Sequence, residues 1–311
     1  MQMDDTISRN FSTLKLGSIL MVFFGHFFIE KIPLIWVPVT IGLIIFSFSS
    51  GYFTSLKYID KIDIKIFWMK KFNRLGMKLI VINLFLFVLF LIQQRTGLWT
   101  WQTLISLFGL TGLLNWFHID NPSPFGKGMW YLTLLFIFYA VYPLLNKIGP
   151  KQWKIIIVPF LIAAYLLSEI HHVGHALYLT ICGFLLGVYT GRCDFSIAHK
   201  KAIVWCILSF ITMLIVRYIF EVAWLNFILI FIFSICFIFS VIPIEIGKIL
   251  HARTAFLSVC IFEIYLLHPY LSYHPTGSII IDFIASISLV LILSMILNHV
   301  STKLSFHYLR N

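Results

Sequence analysis

The sequence predicts an all-α, polytopic bundle of membrane-spanning helices, and three observations carry that expectation. Of 311 residues, 60% are hydrophobic and only 11% charged, against roughly 25% charged in a water-soluble domain. Apolar runs close to the ~20 residues needed to cross a bilayer recur along the whole chain. The basic residues, finally, segregate between alternate loops. No stretch is left for a separate soluble core, so residues 1–311 read as one integral membrane domain.

The first apolar run, 14–30, lacks an A-x-A-like exit and is followed at once by another. It therefore reads as a retained helix rather than a cleavable signal. Further spans are expected at 34–56, 75–93, 128–146, 154–168, 175–191, 201–219, 222–242, 254–270 and 277–298, about ten in all. Thr100 to Phe117, "TWQTLISLFGLTGLLNWF", is apolar, but its Gly, Asn and Trp content points to an interfacial or re-entrant helix. Gly183, Gly187 and Gly191 recur every four residues in the sixth span. Such spacing puts small residues on one helix face and lets a neighbour approach closely.

Charge tests this layout. With both termini cytoplasmic, the inner segments collect Arg9, Lys15, the cluster from Lys57 to Lys78, Lys147, Lys151, Lys154, Arg192, Lys200, Lys201, Lys248, Arg253, Lys303 and Arg310. Only Lys31, Arg95, Lys127 and Arg217 fall outside. That asymmetry is the positive-inside pattern, and a full span at 100–117 would scramble it from Lys147 onward. The net charge of +11 is thus a topology signal. Nucleic-acid binding is excluded because the basic residues sit on short loops without an aromatic stacking surface.

The five cysteines include no CxxC pair, so no disulfide is expected. His171 and His175 in "EIHHVGH" have an i, i+4 spacing, but Gly174 interrupts the helix that would align them, and no metal site is expected. Arg217 and Glu221 read as a helix-end pair.

The first span, "LKLGSILMVFFGHFFIEK", carries Lys15, His26 and Glu30. At ~1.5 Å per residue, His26 stands ~16 Å from Lys15, about halfway through the hydrocarbon, with Glu30 one turn further. A histidine at that depth suits a proton acceptor near neutral pH, and a carboxylate at i+4 would hold its ring. The alternative is a buried histidine bonded to a neighbouring helix, with Lys15 and Glu30 marking the membrane edges. Glu263 lies in mid-span, where a carboxylate is costly, and is expected to face a cavity or pair with a basic residue.

Five stretches, taken in order, resemble the acyltransferase-3 family of integral membrane O-acyltransferases. Lys15, ten intervening residues and His26 resemble the K/R-x10-H signature of its first helix. "SFSSGYF", Ser47 to Phe53, is similar to its SGF-type end of the second helix. "WMKKFNRLGMK" carries Lys71 and Arg74 at the spacing of its RxxR motif, with lysine in the first place. "GMWYLTLLFIFYAVYPLL" resembles its Trp-aromatic-Leu, then Tyr and Pro, pattern, and "FEIYLLHPYL" its IYLxHP signature.

The resemblance implies transfer of an acyl group, most often acetyl, from cytoplasmic acyl-CoA to a hydroxyl of a carbohydrate. The acceptor would be a surface polysaccharide or its lipid-linked precursor, and the location the bacterial cytoplasmic (inner) membrane. Acetyl-CoA would be a co-substrate, with no cofactor bound and the lipid bilayer as surroundings. Coenzyme A is polyanionic, so Arg74 is expected to clamp a phosphate while Lys70, Lys71 and Lys15 supply charge. His26, with Glu30 orienting it, would take the proton of the attacking hydroxyl. Tyr265, Trp130 and Tyr131 are candidate donors to the tetrahedral oxyanion, although Trp130 and Tyr131 read equally well as interfacial belt residues. Ser50, Glu263 and His268 complete the pocket candidates.

Two departures stand out. Many family members have a glutamate a few residues after the fourth-span tryptophan, where this chain has Leu134 and Leu135. Long members append an extracytoplasmic hydrolase-like domain, and this chain resembles the short, stand-alone branch. A transporter or flippase, or a structural subunit of polysaccharide assembly, are the competing readings. Neither an inverted repeat nor paired broken helices speaks for transport.

Overall fold

A computed structural model describes all residues except 1–4, 33, 60–61, 172, 217–222, 245–247, 273–274 and 309–311. Among the described residues there are thirteen helices and no strand. They are α1 (Asp5–Phe28), α2 (Trp36–Lys57), α3 (Ile64–Ile92), α4 (Trp101–Leu107), α5 (Thr111–Trp116), α6 (Trp130–Leu145) and α7 (Pro150–Ile170). The chain continues with α8 (His175–Cys193), α9 (His199–Ile215), α10 (Ala223–Val241), α11 (Lys248–Ser258), α12 (Ile261–Leu271) and α13 (Ile279–Tyr308). Six of the described helices, α1, α2, α3, α7, α8 and α13, are long and apolar enough to cross a membrane, and α6 and α10 contribute shorter apolar helices.

The helices turn large apolar side chains outward. On α7, Ile155, Val158, Ile162 and Leu166 are exposed, and on α13 Ile281, Ile284, Ile292 and Ile296. Water would not tolerate apolar faces this long on a monomer. Hydrocarbon does, and these faces are what a lipid-facing helix requires.

The helices fall into two compact units, Met1–Ile62 with Leu144–Ser258, and Asp63–Pro143 with Val259–Asn311. The first unit is centred on α2 and α8, whose buried residues include glycines and hydroxyl residues interspersed among large apolar ones. A Cβ at Gly187 would run into the Phe48 carbonyl, one at Gly183 into Ser47, and one at Gly51 into the Phe184 carbonyl. The four-residue glycine spacing is therefore used as its spacing predicts, to bring two backbones together. Several buried hydroxyls in this unit bond back to their own helices: Ser18 Oγ donates to Leu14 O (2.8 Å) and Thr180 Oγ1 to Ala176 O (2.6 Å). That removes the penalty of burying them in a medium without water, whereas Thr190 Oγ1 on α8 has no hydrogen-bond partner among the described residues. Asn10 ties α1 to the turn after α10, donating to Ile242 O and Ile244 O at 2.7 Å each.

The second unit joins α3, α12 and α13 with α4, α5 and most of α6. The Asp63 carboxylate caps α3, accepting from Ile66 N at 2.9 Å, as an N-cap residue does. Thr100 to Phe117 does not cross a membrane as one helix: α4 and α5 hold seven and six residues, separated at Gly109 with φ +73°. Thr133 of α6 closes that break, its Oγ1 donating to Gly109 O (2.8 Å) and accepting from Gly112 N (2.9 Å).

Several expected elements differ from the single helices read from hydropathy: α3 begins at Ile64 rather than 75, α13 runs on to Tyr308 rather than 298, and two further runs differ as follows. The run 254–270 is two helices, α11 and α12, interrupted at Val259 and Cys260. The run 14–30 begins earlier and ends at Phe28, where Lys31 N and Ile32 N both donate to Phe28 O (2.9 and 3.0 Å). Pro33, which follows in the sequence, disfavours helix at the residue before it.

Candidate functional site

Within the first unit, α1 carries Lys15 and His26. Lys15 is half-buried, its Nζ lying 5.2 Å from the centroid of the Phe53 ring, a cation–π distance. His26 is half-buried in the last turn of α1. Its neighbour Gly25 gives α1 room against α2, since a Cβ there would collide with the Val39 side chain. Glu30 stands beyond the helix in the following turn, exposed. The helical i, i+4 relation to His26 expected from the sequence is lost because α1 stops two residues short of it. Ser50 is half-buried on α2. Beside it, Gly51 serves the approach of α8, which gives a packing reason for glycine in the Ser-Gly-aromatic motif.

Within the second unit, the cations of the Lys71–Arg74 motif meet on one tyrosine. Lys71 Nζ lies 3.9 Å from the Tyr139 ring centroid and 5.4 Å from that of Phe67. Arg74 Nη2 donates to Tyr139 Oη at 3.3 Å. Lys71 is half-buried and lines a mostly apolar groove of about 330 Å³ with Trp68, Phe72, Phe108, Phe136 and Tyr139. Lys70 and Arg74 are exposed.

Glu263, fully buried on α12, has the basic partner its depth demanded: Lys78 Nζ is 2.7 Å from Oε1. Lys78 also donates to Asn298 Oδ1 (2.8 Å) and to Val259 O (3.3 Å), a carbonyl at the break before α12. One ammonium thus joins α3, α12 and α13.

The remaining candidates form an aromatic cluster in the same unit. Tyr265 Oη donates to Gly128 O at 2.7 Å, and its ring lies 5.8 Å from that of Tyr131 and 5.9 Å from that of His268. Trp130 packs edge-on to Tyr131 at 6.4 Å. Tyr131 is buried, which corrects the reading of it as an interfacial belt residue. His268 Nδ1 lies 2.7 Å from Tyr265 O. A carbonyl only accepts, so the ring proton sits on Nδ1 and Nε2 is the nitrogen able to accept.

Sequence reasoning missed Lys78 and Tyr139. Lys78 was legible as the continuation of Lys71 and Arg74 at i+7 and i+4, one turn deeper into an apolar run. Tyr139 carried no such signal, being one aromatic among several in α6. Arg217 and Glu221 lie outside the described residues. His171 and His175 fall on either side of the α7–α8 connection, with Gly174 at φ +105° between them.

Long apolar helices, lipid-compatible outer faces and buried charge define a multi-pass integral membrane protein. The family described as an acyltransferase domain matches residues 9–299, nearly the whole chain, and the chain belongs to this acyltransferase-3 family. It is a membrane acyltransferase. Comparison with curated proteins and with solved structures finds no match.

Proposed function

We propose that the protein transfers an acyl group, in the first instance acetyl, from cytoplasmic acyl-CoA to a hydroxyl of a surface polysaccharide or its lipid-linked precursor, in a bacterial cytoplasmic membrane. The observation that carries the donor is the pair of cations on Tyr139. Lys71 and Arg74 are held by one ring while Arg74 and the adjacent Lys70 stay exposed, an arrangement suited to the phosphates of coenzyme A. Lys15 adds charge on α1.

His26 is the base in this reading. It accepts the proton of the acceptor hydroxyl as the oxygen attacks the thioester carbonyl; the tetrahedral intermediate then collapses, the acyl–sulfur bond breaks and the coenzyme A thiolate leaves, to be protonated. Tyr265, Trp130 and Tyr131 remain candidate donors to the oxyanion, with Ser50, Glu263 and His268 as supporting residues. Glu30, outside the helix, is kept as a second-rank partner of His26.

The test is transfer of labelled acetyl from acetyl-CoA in membranes holding wild type or His26→Ala at matched protein level, with host glycans as acceptor. Loss of a general base is expected to lower the rate about 10²–10⁴-fold. Equal labelling by wild type and variant would make His26 structural. Unlabelled glycan in both would refute the donor, the acceptor or both, and repeating the assay with longer acyl-CoA donors separates them.

A further inference from the structure

The second unit holds a polar cavity that none of the residues above explains. It has a volume of about 580 Å³ and opens where α3 ends, its wall including Gln93, Arg95, Asn115, Asn121, Lys127 and Tyr270. A neighbouring cavity of about 790 Å³ shares Gln93, Arg95 and Tyr270. By helix rise, Gln93 lies ~28 Å along α3 from Arg74, so the cavity sits at the opposite end of that helix from the proposed donor cations. The sequence's charge asymmetry assigns Arg95 and Lys127 to the outer side.

The wall is built from side chains that fix one another. Tyr270 Oη accepts from Lys127 N (3.0 Å) and its ring packs on Phe90 at 5.5 Å. Asn121 Oδ1 accepts from Ser123 N (3.1 Å), and Ser123 Oγ accepts from Phe125 N (3.2 Å). Gly126 and Gly128 adopt φ +84° and +72°, a backbone that brings this loop against Thr111 and Pro269.

Against that rigid wall, the groups able to bind a ligand are uncommitted. Arg95 Nε donates to Gln93 Oε1 at 3.2 Å, and its two Nη groups have no partner among the described residues. The Lys127 ammonium and the Asn115 amide likewise have none among the described residues. Thr111 lines the cavity with a buried Oγ1 that lacks a hydrogen-bond partner there. No carboxylate is among the described residues lining either cavity. Two cations without counter-ions, amides, a buried hydroxyl and a tyrosine match the chemistry of a charged sugar: guanidinium and ammonium for an anionic group, amides for hydroxyls, aromatic ring for the apolar face of a pyranose.

We propose that this cavity binds the acceptor as an anionic glycan, a sugar bearing a carboxylate or phosphate, with Arg95 and Lys127 taking the charge. The inference rests on the acyltransferase reading above and adds the class of acceptor. Binding is measured without acyl donor on the purified full-length protein in nanodiscs, using tetragalacturonate, the neutral tetrasaccharide maltotetraose and inorganic phosphate as probes.

Tetragalacturonate is expected to bind at least tenfold more tightly than maltotetraose, an effect within reach of one charge-assisted hydrogen bond. Arg95→Gln and Lys127→Gln should each remove most of that preference, and Arg95→Lys should restore part of it. Raising salt should weaken binding of the charged probe alone. Both side chains are exposed, so the variants should keep the wild-type melting temperature and elution volume.

Equal affinity for charged and neutral tetrasaccharides, or Gln variants that bind as wild type does, would overturn the proposal. Inorganic phosphate binding as tightly as tetragalacturonate would overturn it too, leaving an anion site without sugar recognition. Acyl transfer to host glycans that is indifferent to Arg95→Gln would refute the cavity and spare the acyltransferase reading. Selective, Arg95-dependent binding of tetragalacturonate in a protein that transfers no acyl group would do the reverse.

Discussion

The α2–α8 pair of the first unit and the α3–α12–α13 group of the second solve one problem in two ways. Helices in lipid gain nothing by hiding apolar surface from one another, because the tails are as apolar as leucine. The first unit substitutes proximity: glycines bring backbones close enough for dispersion over many atoms, and hydroxyls such as those of Ser18, Ser47 and Thr180 are satisfied within their own helices. The second substitutes charge: Lys78 reaches a carboxylate, an amide and a carbonyl on separate segments. The glycine contact should tolerate loss of charge and fail on one added methyl. The Lys78 contact should tolerate changes of volume and fail on loss of a partner.

The largest expected effect is at Glu263. Glu263→Leu leaves the half-buried Lys78 ammonium without its carboxylate, with only Asn298 Oδ1 and Val259 O as partners, a loss of up to about 3–5 kcal/mol, the range for a broken buried pair. Purified protein should melt markedly lower, and the double variant Lys78→Met, Glu263→Leu should recover much of the loss. A double variant no better than the single one would remove charge from the comparison. Next comes Gly187→Ala, whose methyl meets the Phe48 carbonyl and should cost about 1–3 kcal/mol. Gly17→Ala is its control, because nothing lies within 4 Å of a Cβ there. It should be neutral or stabilising by up to about 1 kcal/mol, and equal melting of the two glycine variants would break the proximity argument. The smallest expected loss is at Tyr265→Phe, which removes the bond to Gly128 O while keeping the ring contacts. A decrease of about 0.5–1.5 kcal/mol is expected.

Much of this was legible in the sequence. The existence of long apolar helices follows from hydropathy because solvent, not tertiary packing, selects them in a membrane, and six of the described helices are long and apolar enough to cross one. The glycine repeat of α8 forecast a close neighbour, and the depth of Glu263 forecast a cation, since each pattern has one inexpensive resolution. What hydropathy hides is where an apolar run breaks. Val259 and Cys260 are as apolar as their flanks, and the interruption shows only once Lys78 is seen bonding the Val259 carbonyl. The end of α1 at Phe28 is likewise unmarked by hydropathy, and there Glu30 loses its place over His26. The polar cavity was invisible because Arg95, Asn115, Lys127 and Tyr270 come from four separate segments, each reading as an ordinary loop or helix end.

The Lys78 contacts also set a schedule for synthesis. Val259 and Asn298 lie 181 and 220 residues downstream of it. At roughly 5–20 residues per second, the ribosome needs on the order of 10–40 s to deliver them. Through that interval the nascent chain holds an ammonium near the hydrocarbon with its counter-ion not yet made. The helix carrying it must wait at the interface or beside the insertion machinery, so the second unit can close only when translation is nearly over.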